Sequence, residues 1–168
     1  MQRKLILDAL FATGVPDALR HMREGLSDPS MNVQITAVEY LGRLEDRQSV
    51  DLLNLFRDET EPMLRIAILE AISLIECRKT DIEEFVSILA SYGDFALADP
   101  LYYPQAIRLS AKNGDSEIMC SIVSAITEID IYAEDIIYAI EDAEHRFTGF
   151  SKEECILEII GQDHGNHR

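Results

Sequence analysis

The feature that most constrains this chain is an internal repeat. An offset of about 31 residues aligns three segments, Gln2 to Val15, Val33 to Asp46 and Leu64 to Cys77. At equivalent positions they place Leu10, Leu41 and Ile72; Asp8, Glu39 and Glu70; Ala9, Tyr40 and Ala71; and Arg3, Gln34 and Arg65. Apolar residues recur at helical spacing, as in Val33, Ala37, Tyr40, Leu41 and Leu44, so each segment reads as an amphipathic helix. Each copy carries one apolar stripe and must bury it against its neighbours.

Shorter helical segments lie between the repeated ones. Pro16 to Leu26 opens with Pro-Asp and puts Leu19, Met22 and Leu26 on one face; Ser49 to Phe56 does the same with Val50, Leu53 and Phe56. Both run into polar turns, and Asp28-Pro29 and Glu61-Pro62 push the residue before each proline out of helical geometry. The unit is a helix pair whose turns are short enough to require antiparallel packing. Glycine and proline are sparse (8 and 5) and Trp is absent, which further disfavours an all-β fold.

The strings Asp28-x4-Val33-Gln34-x2-Ala37-x3-Leu41 and Asp58-x5-Leu64-Arg65-x-Ala67 resemble HEAT repeats of the short bacterial type. The stretch from Leu10 to Leu19 is similar to the junction between successive repeats, and the resemblance runs over residues 1–93, continuing more loosely from Tyr103. It implies an all-α, right-handed solenoid of helix pairs, with the repeated helices lining a concave face. It also implies an inter-repeat ladder of Asp and Arg, which here falls to Asp28, Asp58 and Arg65, with Gln34 where Arg is usual.

The second half departs from the period. A helix over Thr80 to Ser91 precedes an irregular insertion at 94–104 containing two prolines. Helical periodicity resumes over 105–111, 116–129, 133–143 and 152–160, as a less regular continuation of the same domain over 105–163, and 164–168 form a polar tail. Phe95, Tyr102 and Tyr103 lie in the insertion, where an aromatic anchors a partner or covers the end of a core; Tyr102 and Tyr103 are the candidate anchors.

Charge and motifs narrow the function. Fifteen Lys and Arg against 31 Asp and Glu give a net charge of −16, which argues against binding a nucleic-acid backbone or an anionic membrane. Asp115 to Asp163 alone holds 13 acids against two bases, so this end reads as a solvated face, a docking surface for a basic segment, or a mimic of nucleic acid. Three well-separated cysteines without a C-x-x-C pattern, no signal-peptide pattern and no long uncharged apolar run point to a cytoplasmic protein that does not itself span a membrane.

No phosphate-binding glycine loop or nucleophile elbow is present. Some HEAT-like proteins are iron hydroxylases with repeated His-Glu pairs, but this chain has a single reversed pair, Glu144-His145. Glu128, Asp130 and Glu134 alternate faintly like a calcium loop yet lack its turn glycine. Cys77, Cys120 and Cys155 sit in apolar patterns and read as buried structural thiols. The expectation is a protein without catalytic residues, metal or cofactor, holding a protein or peptide partner, one with a basic segment, on its concave face. The binding candidates are Asp8, Glu39, Glu70, Arg3, Gln34 and Arg65. The alternatives are an enzyme or enzyme accessory resembling the bilin lyases, whose repeats are similar, and a regulatory part of a larger protein.

Overall fold

Three helices of the N-terminal half end in the same way, each with one residue in the left-handed region. These are Gly14 (φ 60°) after α1 (Gln2–Thr13), Glu45 (φ 50°) after α3 (Met31–Arg43) and Cys77 (φ 52°) after α5 (Pro62–Glu76). At α3 the N–H of Glu45 donates to the Gly42 carbonyl at 3.0 Å and that of Asp46 to the Leu41 carbonyl at 3.0 Å. That pairing is a Schellman motif, which satisfies carbonyls that the helix end would otherwise leave open. At α1 the Gly14 N–H reaches the Leu10 carbonyl at 3.1 Å, the single-bond version of the same stop.

The computed structural model describes residues 2–58, 61–91, 102–113 and 129–146, together with Glu153 and Leu157. All the regular elements among the described residues are helices. Between the three repeated helices lie α2 (Ala18–Gly25) and α4 (Val50–Leu55), the latter preceded by a 3-10 turn at Arg47–Ser49. Beyond them come α6 (Lys79–Ser91), α7 (Tyr102–Asn113) and α8 (Ile129–Arg146). The expected insertion residues 94–101, including Phe95, the expected helix over 116–129 up to residue 128, that over 152–160 apart from Glu153 and Leu157, and Cys120 and Cys155 lie outside the described residues.

The chain forms two compact units, Met1–Glu76 and Cys77–Arg168. In the first, α3 packs against α1, α2 and α5, and α4 packs against α5. Met22, Ala37, Leu41, Leu53 and Ile72 are fully buried there, each large apolar side chain contributing roughly 1.5–3 kcal/mol relative to exposure. Of the equivalent trio, Leu41 and Ile72 are fully buried, whereas Leu10 is only partly so. The reason is position: α3 has repeated helices on two sides, and among the described residues α1 has one on a single side.

Two glycines let the helices approach closely. A Cβ on Gly25 would sit 2.9 Å from the Ala37 Cβ, and one on Gly42 would sit 2.8 Å from the Ala71 Cα and 2.9 Å from its Cβ. Both distances are well inside van der Waals contact, so α2 on α3, and α3 on α5, depend on the missing side chain.

In the second unit α6 packs on α7, and α7 on α8. Sequence reasoning counted the α6 segment with the repeats; its contacts group it with α7 instead. The tyrosines, for which the sequence left anchoring a partner or covering a core open, lie in the core. Helix α7 starts at Tyr102, three residues before the sequence-predicted start, with Pro104 in its first turn, where no intrahelical N–H is needed. Tyr102 and Tyr103 are each only 4% exposed. Tyr102 meets Phe85 edge-on with ring centroids 6.1 Å apart, and the Tyr103 hydroxyl donates to the Leu89 carbonyl at 3.3 Å. They are core residues joining α6 to α7.

Cys77 is half-buried rather than buried, because it is the left-handed residue that closes α5 and lies past the apolar stripe. We expect Gly42→Ala to destabilise the first unit by about 1–3 kcal/mol, since its new methyl meets backbone rather than a movable side-chain tip. Glu45→Gly should have the opposite sign, a gain of about 0.5–1 kcal/mol, because an exposed left-handed position favours glycine. Denaturant unfolding of both variants measures the pair.

Candidate functional site

The surface built by α1, α3 and α5 carries the six residues that the repeat alignment selects. Asp8, Glu39 and Glu70 are all half-buried, one on each helix. One turn of α1 brings Lys4 under Asp8, whose carboxylate accepts from Lys4 Nζ at 3.3 Å. The stronger contact comes from the next helix: the Tyr40 hydroxyl donates to Asp8 Oδ1 at 2.6 Å. That bond, helped by Lys4 against a small burial penalty, holds the Asp8 carboxyl below its ordinary value. Burial, and then the same bond, push the Tyr40 phenol up to about 12. Its ring stacks on Phe11 with centroids 4.1 Å apart and planes 7° from parallel. Asp8 is therefore a tie between α1 and α3 rather than an open carboxylate.

Arg3 is also engaged. Its guanidinium meets Asp28 at 2.7 Å, and Asp28 in turn accepts the Ser30 N–H at 2.8 Å in the turn that leads into α3. The ladder implied by the family resemblance thus has a rung at Asp28, with Arg3 as the partner, a pairing sequence reasoning did not make. Asp58 is exposed and Arg65 half-buried. Gln34 is half-buried among the apolar Leu26, Val38, Leu53, Phe56, Leu64 and Ile68. An amide suits that position, since a guanidinium there would need a carboxylate among apolar neighbours. Glu39, Glu70 and Arg65 each take part in polar or electrostatic contacts of their own.

A second polar cluster escaped sequence reasoning altogether. Arg23, in the last turn of α2, grips Asp46 with two bonds, Nε to Oδ2 at 2.8 Å and Nη2 to Oδ1 at 2.7 Å. Arg23 Nε also reaches Ser49 Oγ at 3.2 Å, and the Ser49 hydroxyl donates to Asp46. Asp46 is 7% exposed and precedes the turn into α4, so an acid stands at a helical start and a base at a helical end. Burial alone would raise the Asp46 carboxyl; the bonds from Arg23, Ser49 and the Gln48 backbone outweigh it and bring it below 3.8. The carboxylate in turn raises the Arg23 guanidinium further. The signal available in the sequence was Asp46-x-x-Ser49 directly after a repeated helix, a capping-type spacing.

In the second unit Arg78 binds Asp81, itself 1% exposed, at 2.6 Å at the start of α6. Among the described residues no group of three or more His, Cys, Asp or Glu is arranged to hold a metal ion. No described helix is long and apolar enough to cross a membrane.

Helices packed in succession, closed by left-handed residues and tied by an Arg–Asp rung, fit a repeat architecture. Residues 2–73 match the family model of HEAT repeats. Over this stretch the chain is similar to HEAT-repeat proteins. The match covers α1 to α5 and stops short of α6. No curated protein matches the chain.

Because the Asp46 carboxyl is lowered in the folded state, its stabilising contribution is complete above the unfolded value of about 3.8. It is lost as the pH falls through the lower folded value. Asp46→Asn should cost about 1–3 kcal/mol at pH 7, the range for charge-assisted bonds, and should flatten the acid limb of the stability curve below pH ~4. Melting temperatures of the two proteins from pH 7 down to pH 2.5 check both effects.

Proposed function

We propose that this protein is a non-enzymatic scaffold that holds a protein or peptide partner, one with a basic segment, on the face formed by the HEAT helices α1, α3 and α5. HEAT repeats are commonly protein-interaction scaffolds and generally lack catalytic activity. The observation that carries the reading is the recurrence of a carboxylate at one register position on three helices packed in succession, Asp8, Glu39 and Glu70. Recognition would draw on this row of half-buried carboxylates, with Gln34 and Arg65 beside it, while Asp8 also ties α1 to α3 through Tyr40 and Arg3 braces the repeat through Asp28.

The mechanism is shape plus charge. A packed helical surface is ordered before the partner arrives, so association costs little reorganisation. The net charge of −16 steers basic segments and repels nucleic acid, and the cytoplasm, with its reducing environment, suits a chain with widely separated cysteines.

Oligolysine peptides titrated onto the full chain are the test. Reversing Glu39 and Glu70 to Lys should abolish their binding, and raising salt should weaken it in the wild type. Thermal stability should change little, because ion pairs of partly exposed side chains contribute about 0–1 kcal/mol. Binding that survives the reversal, or ignores salt, removes the carboxylate row from the mechanism.

A further inference from the structure

Among the described residues, a polar bond stands at each end of the α6–α7 pair. At one end the Tyr103 hydroxyl donates to the Leu89 carbonyl, and at the other Asn113 Nδ2 donates to the Cys77 carbonyl at 2.9 Å. Asn113 is half-buried and is the last residue of α7; Cys77 is the first residue of the second unit and lies just ahead of α6. The amide therefore fastens the start of that unit to the end of α7. The cations beside Cys77 are already matched, Arg78 to Asp81 at 2.6 Å and Lys79 to Glu83 at 3.8 Å.

The residue that follows Asn113 is Gly114, and this is the single Asn-Gly step in the sequence; the other asparagines precede Val33, Leu55 and His167. An asparagine side chain is open to attack by the backbone nitrogen of the next residue. Here the Gly114 nitrogen forms a bond to Asn113 Cγ, gives up its proton, and ammonia leaves as the cyclic imide closes. Water then opens that ring at either carbonyl, giving aspartate or isoaspartate. Water is the only co-reactant, and nothing is oxidised or reduced. A glycine nitrogen reaches the carbonyl carbon most readily, because no Cβ restricts its backbone or crowds the approach.

Position in the fold decides whether the ring can close. Closure takes Asn113 out of helical geometry, which inside a helix would break bonds on both sides, whereas the last residue of a helix frays at least cost. The bond to Cys77 then sets how often the side chain is released. Conversion reverses the polarity of that bond, since an ionised carboxylate only accepts and now faces a carbonyl that also only accepts. We infer that Asn113 is a self-modifying latch: its deamidation replaces the Asn113–Cys77 tie by a repulsion and frees the end of α7 from the start of the second unit. The added charge acts in the same direction, because the chain already carries −16 and the neighbouring cations are taken.

The full chain, held at neutral pH and body temperature and followed by intact mass and peptide mapping, tests this. The small mass gain of amide-to-acid conversion should appear at Asn113 and leave Asn32, Asn54 and Asn166 unchanged. Gly114→Ala should slow it at least about tenfold, because its methyl hinders the ring closure. Asn113→Asp should melt about 4–8 °C below the wild type, and also below Asn113→Ala, which loses the bond without gaining the charge. In Asn113→Asp, hydrogen exchange should quicken at Asp81 and Ile82, whose N–H groups bond the Arg78 carbonyl where α6 begins. If Asn113→Asp does not fold on expression, the aged wild type, separated from fresh protein by its extra charge, carries the same comparison. An Asn113 that stays intact over weeks overturns the inference. So does conversion that Gly114→Ala leaves as fast, or a converted chain as stable as Asn113→Ala.

Discussion

The first unit depends on how closely its helices approach at Gly42. Packing α3 against α5 with a Cα of Ala71 at the distance of a missing methyl removes the gap that any larger side chain would hold open. The buried Leu41, Ile68 and Ile72 are then in contact rather than separated by a void, and dispersion falls off steeply with such gaps. Gly25 against Ala37 does the same between α2 and α3. Two glycines thus set the spacing of the layers, and the large apolar residues fill what that spacing leaves.

Hydrophobic contact sets distance but leaves helices able to slide, since one apolar ridge resembles the next. Directional bonds remove that freedom. The Tyr40–Asp8 bond and the Phe11–Tyr40 stack tie α1 to α3, Arg3–Asp28 ties α1 to the turn before α3, and Arg23–Asp46 ties α2 to the turn after it. Burying such groups adds little net stability but makes a wrong register leave a charge unpaired. The acids of this chain therefore divide into two kinds. Asp8, Asp28 and Asp46 are committed to the fold, whereas Asp17, Glu24 and Glu134 stand on the surface and shape the long-range field.

How far the structure was legible follows from the same division. Helix positions in the first unit came within two or three residues because apolar periodicity and turn chemistry agree there. The period itself located Leu41 and Ile72 in the core. What could not be read was pairing across space: Asp8 and Arg3 look like surface charges in one dimension, and only the neighbouring helix reveals Tyr40 and the loop reveals Asp28. The role of Tyr102 and Tyr103 stayed open in the sequence for a different reason. Two flanking prolines suggested an irregular insertion, yet Pro104 fits the first turn of a helix, and that turn carries both rings into the core. The role of Gly42 has no mark in one dimension, because a glycine's close contact depends on which residue faces it.

A repeat fold carries one further consequence. Every stacking face resembles every other, so any such face left open can accept a helix that was not meant for it. A net charge of −16 opposes this, since two copies approaching at random repel one another. Repulsion is general, however, and a contact escapes it only by placing cations against carboxylates. Arg3 and Lys4, both in α1, are already matched to Asp28 and Asp8, so this acidic chain spends those cations on holding its own helices together. Charge here acts as a filter on an otherwise permissive architecture: pairing within the repeat fixes the register, and the excess of carboxylates left over discourages a second copy from stacking on it.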